Sequence, residues 1–130
     1  MSQKRRQSSD PRSVLGRRGE RIAADYLERA GLVVIERNYR CRAGEIDLIA
    51  VDGETVVFVE VKLRRGGFDP LEAVDARKQV QIARAAFDFL LRRGLMSRPA
   101  RFDVIAVSPL GPDEWDCRHI IDAFDTPIEY

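Results

Sequence analysis

The sequence predicts an α/β fold, a mixed β-sheet built from an antiparallel meander plus a parallel strand and flanked by helices. Three observations carry this. Two stretches place apolar residues at helical spacing, three short β-rich runs lie between them, and the second helical stretch separates the third run from a fourth. A long helix between two strands is a crossover connection, which sets those strands parallel.

Residues 1–12 are polar and basic without periodicity, and they read as a flexible basic tail ahead of a single domain over 13–130. From Ser13 to Ala30, Ile22, Ala23, Tyr26, Leu27 and Ala30 fall at helical spacing, and Gly31 stands where a C-terminal cap belongs. Glu20 lies at the edge of that apolar stripe, placed to lean over whatever the stripe packs against. Leu32 to Arg40 is rich in β-branched and aromatic residues and forms the first strand, followed by an Ala43-Gly44 turn. The second strand covers about Glu45 to Val51 and the third Thr55 to Leu63, with Asp52-Gly53 as the hairpin signal between them.

After the Gly-rich loop at 64–68, Asp69 is the expected cap and Pro70 the first turn of a helix carrying Leu71, Val74, Val80, Ile82, Ala83, Ala86, Phe87, Leu90 and Leu91, with Gly94 ending it. Phe102 to Val107 is the fourth strand, and Arg118 to Phe124 closes the chain as a short strand or helical turn.

Composition narrows the class. A length of 130 residues suits one domain, and 45% hydrophobic with 33% charged residues is the balance of a globular protein. The longest apolar runs have four residues, against the roughly 20 of a membrane span. With no apolar stretch after the basic N-terminus, a cytoplasmic location without membrane attachment is the expectation. Cys41 and Cys117 have no companion at metal-ligand spacing and read as reduced thiols. The net charge of +1 hides an asymmetry: residues 1–21 carry seven Lys or Arg, and residues 102–130 carry seven Asp or Glu. A basic arm attracts polyanions, though a solvated tail has the same composition.

The third strand holds the chemistry. Alternation puts Val57, Val59, Val61 and Leu63 on one face and Val56, Phe58, Glu60 and Lys62 on the other. A hairpin loop with an even number of residues brings Asp47 near Phe58 or Glu60 on that second face. Two carboxylates about 4 Å apart repel by about 4 kcal/mol at an effective dielectric of 20. A divalent cation would relieve this, and all-oxygen ligands favour Mg²⁺ or Mn²⁺ over Zn²⁺. Asp47 and Glu60 as ligands and Lys62 at the attacking water would make a site for phosphodiester hydrolysis. The alternative is a surface ion pair of Glu60 and Lys62 with Asp47 merely solvated. Arg37, Arg40, Arg64 and Lys78 are candidate phosphate contacts. Tyr39 is expected to pack in the core or hairpin. Phe68 and Trp115 are candidates for base stacking, and His119 for a hydrogen-bonded structural role.

Gly19-Glu20, Arg37-Asn38-Tyr39-Arg40, Gly44-Glu45-Ile46-Asp47-Leu48-Ile49-Ala50, Phe58-Val59-Glu60-Val61-Lys62 with Arg64, Lys78-Gln79, Arg101-Phe102-Asp103 and His119 together form a specific pattern. It resembles the YraN-like family of predicted endonucleases, within the restriction-endonuclease-like and Holliday-junction-resolvase-like nuclease superfamily. The resemblance covers nearly the whole chain after the tail. It implies a restriction-endonuclease-like core, with Asp47, Glu60 and Lys62 at active-site positions and Glu20 as the helix acid of resolvase-like members. Ile46-Asp47 departs from that superfamily's Pro-Asp at its most dispensable position. The expected activity is metal-dependent endonucleolytic cleavage of DNA, with branched or repair-related substrates in view and a homodimer suggested by analogy. The alternative is a non-catalytic nucleic-acid-binding module on the same fold.

Overall fold

The computed structural model describes residues 11–64 and 74–125. The elements run α1 (Pro11–Arg29), β1 (Val33–Cys41), β2 (Gly44–Asp52), β3 (Thr55–Leu63), α2 (Ala76–Arg93), β4 (Ala100–Gly111) and β5 (Glu114–Phe124). The five strands form one mixed sheet in the order β1-β2-β3-β4-β5. Among the described residues only β3 and β4 pair in parallel, the other neighbours being antiparallel. The α/β class and the parallel crossover are therefore as the sequence predicts.

The two helices cover opposite faces of the sheet. Ala23, Ala24 and Leu27 of α1 pack with Leu48, Ala50, Val57, Val59, Ile105 and Val107. On the other side Ile82, Ala83, Ala86, Phe89 and Leu90 of α2 pack with Ile46, Ile49, Phe58, Phe102 and Val104. Strand β3 thus sits between two covered faces, and five consecutive residues, Val56 to Glu60, are buried. Alternation along β3 assigns its side chains as expected, Val57 and Val59 toward α1 and Phe58 toward α2.

The β2–β3 hairpin closes on a two-residue turn, with Asp52 opposite Thr55 and Gly53 at φ 62°, a left-handed position that glycine occupies without a steric penalty. At the end of α2, Gly94 (φ 69°) donates its N–H to Leu90 and Leu91 carbonyls and stops the helix where the sequence places its end.

Four expectations need correction. Helix α1 begins at Pro11, inside the stretch read as tail, while residues 1–10 lie outside the described residues. Helix α2 is capped by Asp75, whose carboxylate accepts the Lys78 N–H at 2.9 Å, so Val74 precedes the helix as a buried bend residue. Asp69, Pro70 and Leu71 lie outside the described residues. In α2 the core aromatic is Phe89, fully buried, whereas Phe87 is only half-buried and Leu91 is exposed. Finally, the C-terminal segment is a full strand of 11 residues, held along β4 from Gly111↔Glu114 to Phe102↔Phe124.

Candidate functional site

The site begins where β2 and β3 part. Their ladder ends at Leu48↔Val59, so Asp47 falls at the next position, beside Glu60. Instead of a ladder carbonyl, the Asp47 carboxylate accepts the Val61 N–H at 2.7 Å. Alternation along β2 breaks here: Ile46 and Ile49, three residues apart, belong to the α2-side core, and Leu48 to the α1 side. Across β1, Asn38 lies between Arg37↔Leu48 and Tyr39↔Ile46, and it has φ 53°. Asparagine tolerates that left-handed conformation better than most residues. The irregular backbone on both strands turns the Asp47 carboxylate toward the gap.

Glu60 is 5% exposed and Lys62 follows on the same face, its Nζ 3.3 Å from Glu60 Oε2. Lys78, from the first turn of α2, reaches the same oxygen at 3.2 Å. One buried carboxylate therefore meets two ammonium groups. Glu20 comes from α1 on the other side of the sheet. Burial raises its carboxyl above the ordinary range, a hydrogen bond with Asn38 opposes this, and the charges of Glu45 and Glu60 add to the rise.

Asp47 is pushed further, to about 8, first by burial and then by the charge of Glu60, while the Val61 N–H and Lys62 pull the other way. Burial and the Glu60 charge both favour the proton-bearing form of this carboxyl. Lys78 shows the reverse balance: burial lowers it, but Glu60 outweighs burial and holds the ammonium above its ordinary value.

The predicted residues thus fall into two groups. Glu20, Asp47, Glu60, Lys62 and Lys78 interact within one cluster. Arg40, ion-paired with Glu45 at 3.3 Å and exposed, lies at its rim, and its charge is felt by Glu20. Arg64 lines a cavity together with Glu20 and Lys62, and its N–H donates to the Val107 carbonyl at 3.0 Å. Among the described residues Arg37 stands apart from this group, exposed on β1 at the register position of Leu48. Lys78, read from sequence as a phosphate contact, is directed onto Glu60. Tyr39 packs edge-on against Phe89 with centroids 5.2 Å apart and its hydroxyl donates to Asp88, in keeping with its expected packing role. Phe68 lies outside the described residues.

Sequence reasoning missed two features. One is Asn38, which enters the sequence pattern only as part of a motif, although an asparagine inside a strand is itself a signal of irregular backbone. The second is the environment of Asp103, 1% exposed on β4, whose carboxylate meets His119 Nε2 at 2.7 Å and accepts from Arg101 and from the Asp122 N–H at 2.9 Å. Asp122 has φ 55° and lies where β5 carries extra residues between Phe102↔Phe124 and Val104↔Ile120. His119 therefore has the structural partner expected of it, and Tyr26 of α1 packs edge-on against its ring at 5.5 Å.

The carboxylate oxygens of Asp47 and Glu60 are hard donors. Asp47 and Glu60 are two carboxylates at one opening, and Mg²⁺ is commonly held by one or two carboxylates, waters and substrate phosphate. Among the described residues no three His, Cys, Asp or Glu side chains form a ready-made metal cage. Cys41 and Cys117 are free thiols.

A family model described as Uncharacterised protein family UPF0102 matches residues 19–107, from the residue before Glu20 to Val107 within β4. The chain belongs to the UPF0102 family. A UPF0102 protein of Geobacter sulfurreducens is 50% identical over 121 residues, covering 92% of this chain and 94% of its own. One from Symbiobacterium thermophilum is 51% identical over 113 residues, covering 85% and 95%, and one from Syntrophus aciditrophicus is 50% identical over 113, covering 85% and 87%. This UPF0102 chain has a mixed sheet with a helix on each face, consistent with a nuclease-like core. No helix among the described residues is long and apolar enough to cross a membrane.

Proposed function

We propose that this chain is a metal-dependent endonuclease that hydrolyses phosphodiester bonds in DNA, with branched or repair-related substrates as its class. The observation that carries the reading is the opening between β2 and β3, where Asp47 and the buried Glu60 sit beside Lys62. A buried acid pair costs stability unless it has a task or a partner.

Asp47 and Glu60 would hold Mg²⁺ or Mn²⁺, which supplies Lewis-acid stabilisation of phosphoryl charge and lowers the pKa of water. Lys62, 18% exposed, exchanges its contact with Glu60 for the attacking water and a phosphate oxygen. Glu20, raised by burial, is suited to move a proton at that water. Water oxygen attacks phosphorus, the bond to the leaving oxygen breaks, and that oxygen takes up a proton. Arg40 and Arg64 at the rim position the DNA backbone. A homodimer would supply two such sites for paired cuts.

A second reading has an observation of its own. Lys62 and Lys78 already neutralise Glu60, the task first assigned to a cation, so the cluster is also compatible with a nucleic-acid-binding module that does no chemistry. Calorimetric titration of Mg²⁺ and Mn²⁺ into the wild type and Asp47→Ala separates the two. Binding lost in the variant supports the nuclease. Equal heats from both proteins support the module.

A further inference from the structure

A cavity of about 710 Å³ opens beside the acid cluster, a volume in the range of small-ligand sites. Glu20 and Lys62 border it, so it is continuous with the proposed cutting site. Its other walls combine cations, Arg18 and Arg64, with apolar groups such as Leu63 and Trp115. That mixture fits a ligand with a flat apolar part and an anionic part.

Trp115 is the chain's single tryptophan, carried on β5 opposite Pro109 and half-buried. The Arg18 guanidinium lies over its ring, 5.3 Å from the centroid. Arg18 also meets Asp113 at 3.6 Å, but their side chains are 46% and 93% exposed, and such a pair contributes little. The planar cation over the indole is therefore held weakly. Another planar group can replace it there and leave the guanidinium free for an anion nearby. A nucleobase is such a group and a phosphate such an anion. A base within continuous duplex has both faces already stacked, so only an unpaired base can use the indole face.

Resting on the nuclease reading, we propose that this cavity takes an unpaired nucleotide adjoining the scissile phosphate, its base stacked on Trp115 and its phosphate met by Arg18. The substrate class is then DNA carrying an unpaired or splayed nucleotide at the cut, as in a single strand, a flap or a junction.

Trp115 is its own reporter. The full chain, in chelator to prevent cutting, is titrated with a short oligothymidylate and with an abasic deoxyribose-phosphate oligomer of equal length. Oligothymidylate should quench tryptophan emission and bind roughly tenfold or more tighter than the abasic probe. By anisotropy of labelled probes, Trp115→Ala should erase that preference and Trp115→Phe should keep most of it, with circular dichroism showing both variants folded. If the alanine variant does not fold, the two probes on wild type and Trp115→Phe still decide the matter. Equal affinity for the two probes, or a preference that survives in folded Trp115→Ala, overturns the inference. If either result accompanies DNA cutting that depends on Asp47, the nuclease reading stands without it. If neither probe binds and no DNA is cut, both fall together.

Discussion

Lys78 Nζ stands 3.2 Å from Glu60 Oε2, joining the first turn of α2 to the centre of β3 and placing a second ammonium on a carboxylate that Lys62 already meets. The contact makes α2 a part of the site as well as a cover for the sheet. It also defines a competition, because a cation arriving at Glu60 must share the oxygen with these lysines or displace one.

Replacing Lys78 tests that competition. Breaking a fully buried pair costs about 3–5 kcal/mol, but Lys78 is 37% exposed and Lys62 remains, so about 1 kcal/mol is the expected loss for Lys78→Met. That corresponds to a fall of roughly 4 °C in Tm. Added Mg²⁺ should raise the variant's Tm more than the wild type's, since the ion takes the place of the missing ammonium. Thermal melts with and without Mg²⁺ check both expectations.

Asp47 supplies the pH dependence. Its carboxyl moves from an ordinary 3.8 to about 8, so between those values the folded chain holds a proton that the unfolded chain has lost. Stability contributed by this group therefore falls as pH rises across that window. Asp47→Asn keeps an acceptor for the Val61 N–H and removes the titration, and it should gain on the wild type between pH 5 and 8. Denaturant unfolding at both pH values measures the difference.

The same proton governs metal uptake. Binding at Asp47 must expel it, so Mg²⁺ affinity should rise with pH toward 8, and about one proton should be released per ion at neutral pH. Calorimetry in two buffers of different ionisation heat counts that proton. A proton count near zero would place the ion elsewhere.

Asp103 is expected to matter for stability alone. Burial would raise its carboxyl, but hydrogen bonds with His119, Arg101 and the Asp122 N–H outweigh burial and hold it below the ordinary range. Its stabilisation is present above the ordinary carboxylate value near 4 and is lost as pH falls through the lower folded value. Asp103→Ala leaves buried donors unpaired and should cost about 3 kcal/mol. Asp103→Asn should show a shallower loss of stability below pH about 4 than the wild type. Urea unfolding across that range reads both, and cutting per folded molecule should not change.

How far the sequence reveals this arrangement depends on the range of the interactions. Strand β3 is legible to the residue, because its alternating faces are bounded by Asp52-Gly53, a strictly local signal. The hairpin register is legible in part: an even loop brings Asp47 to Glu60, but strands ending at Val51 and Thr55 leave three residues between them, and the pairing of Asp52 with Thr55 decides it. The start of α2 is not legible in this way, since Asp69-Pro70 and Asp75 carry similar capping chemistry and only the burial of Val74 beside the sheet distinguishes them. Lys78 on Glu60 and His119 on Asp103 depend on how separate elements dock. Nothing in local spacing ranks Lys78 above the other exposed cations. The break in β2 at Asp47 is a middle case, visible in hindsight from Asn38 but set by the divergence of two strands.

The most direct test of the central claim is cutting itself. End-labelled single-stranded, flapped, branched and fully paired DNA are incubated with purified wild type, Asp47→Asn and Lys62→Ala in Mg²⁺ or Mn²⁺, after circular dichroism has shown all three folded. Metal-dependent cleavage by the wild type, at least 100-fold weaker in either variant as removal of a catalytic group predicts, is the expected result. Cleavage that persists unchanged in both variants, or DNA binding by the wild type with no cleavage in either metal, would contradict it.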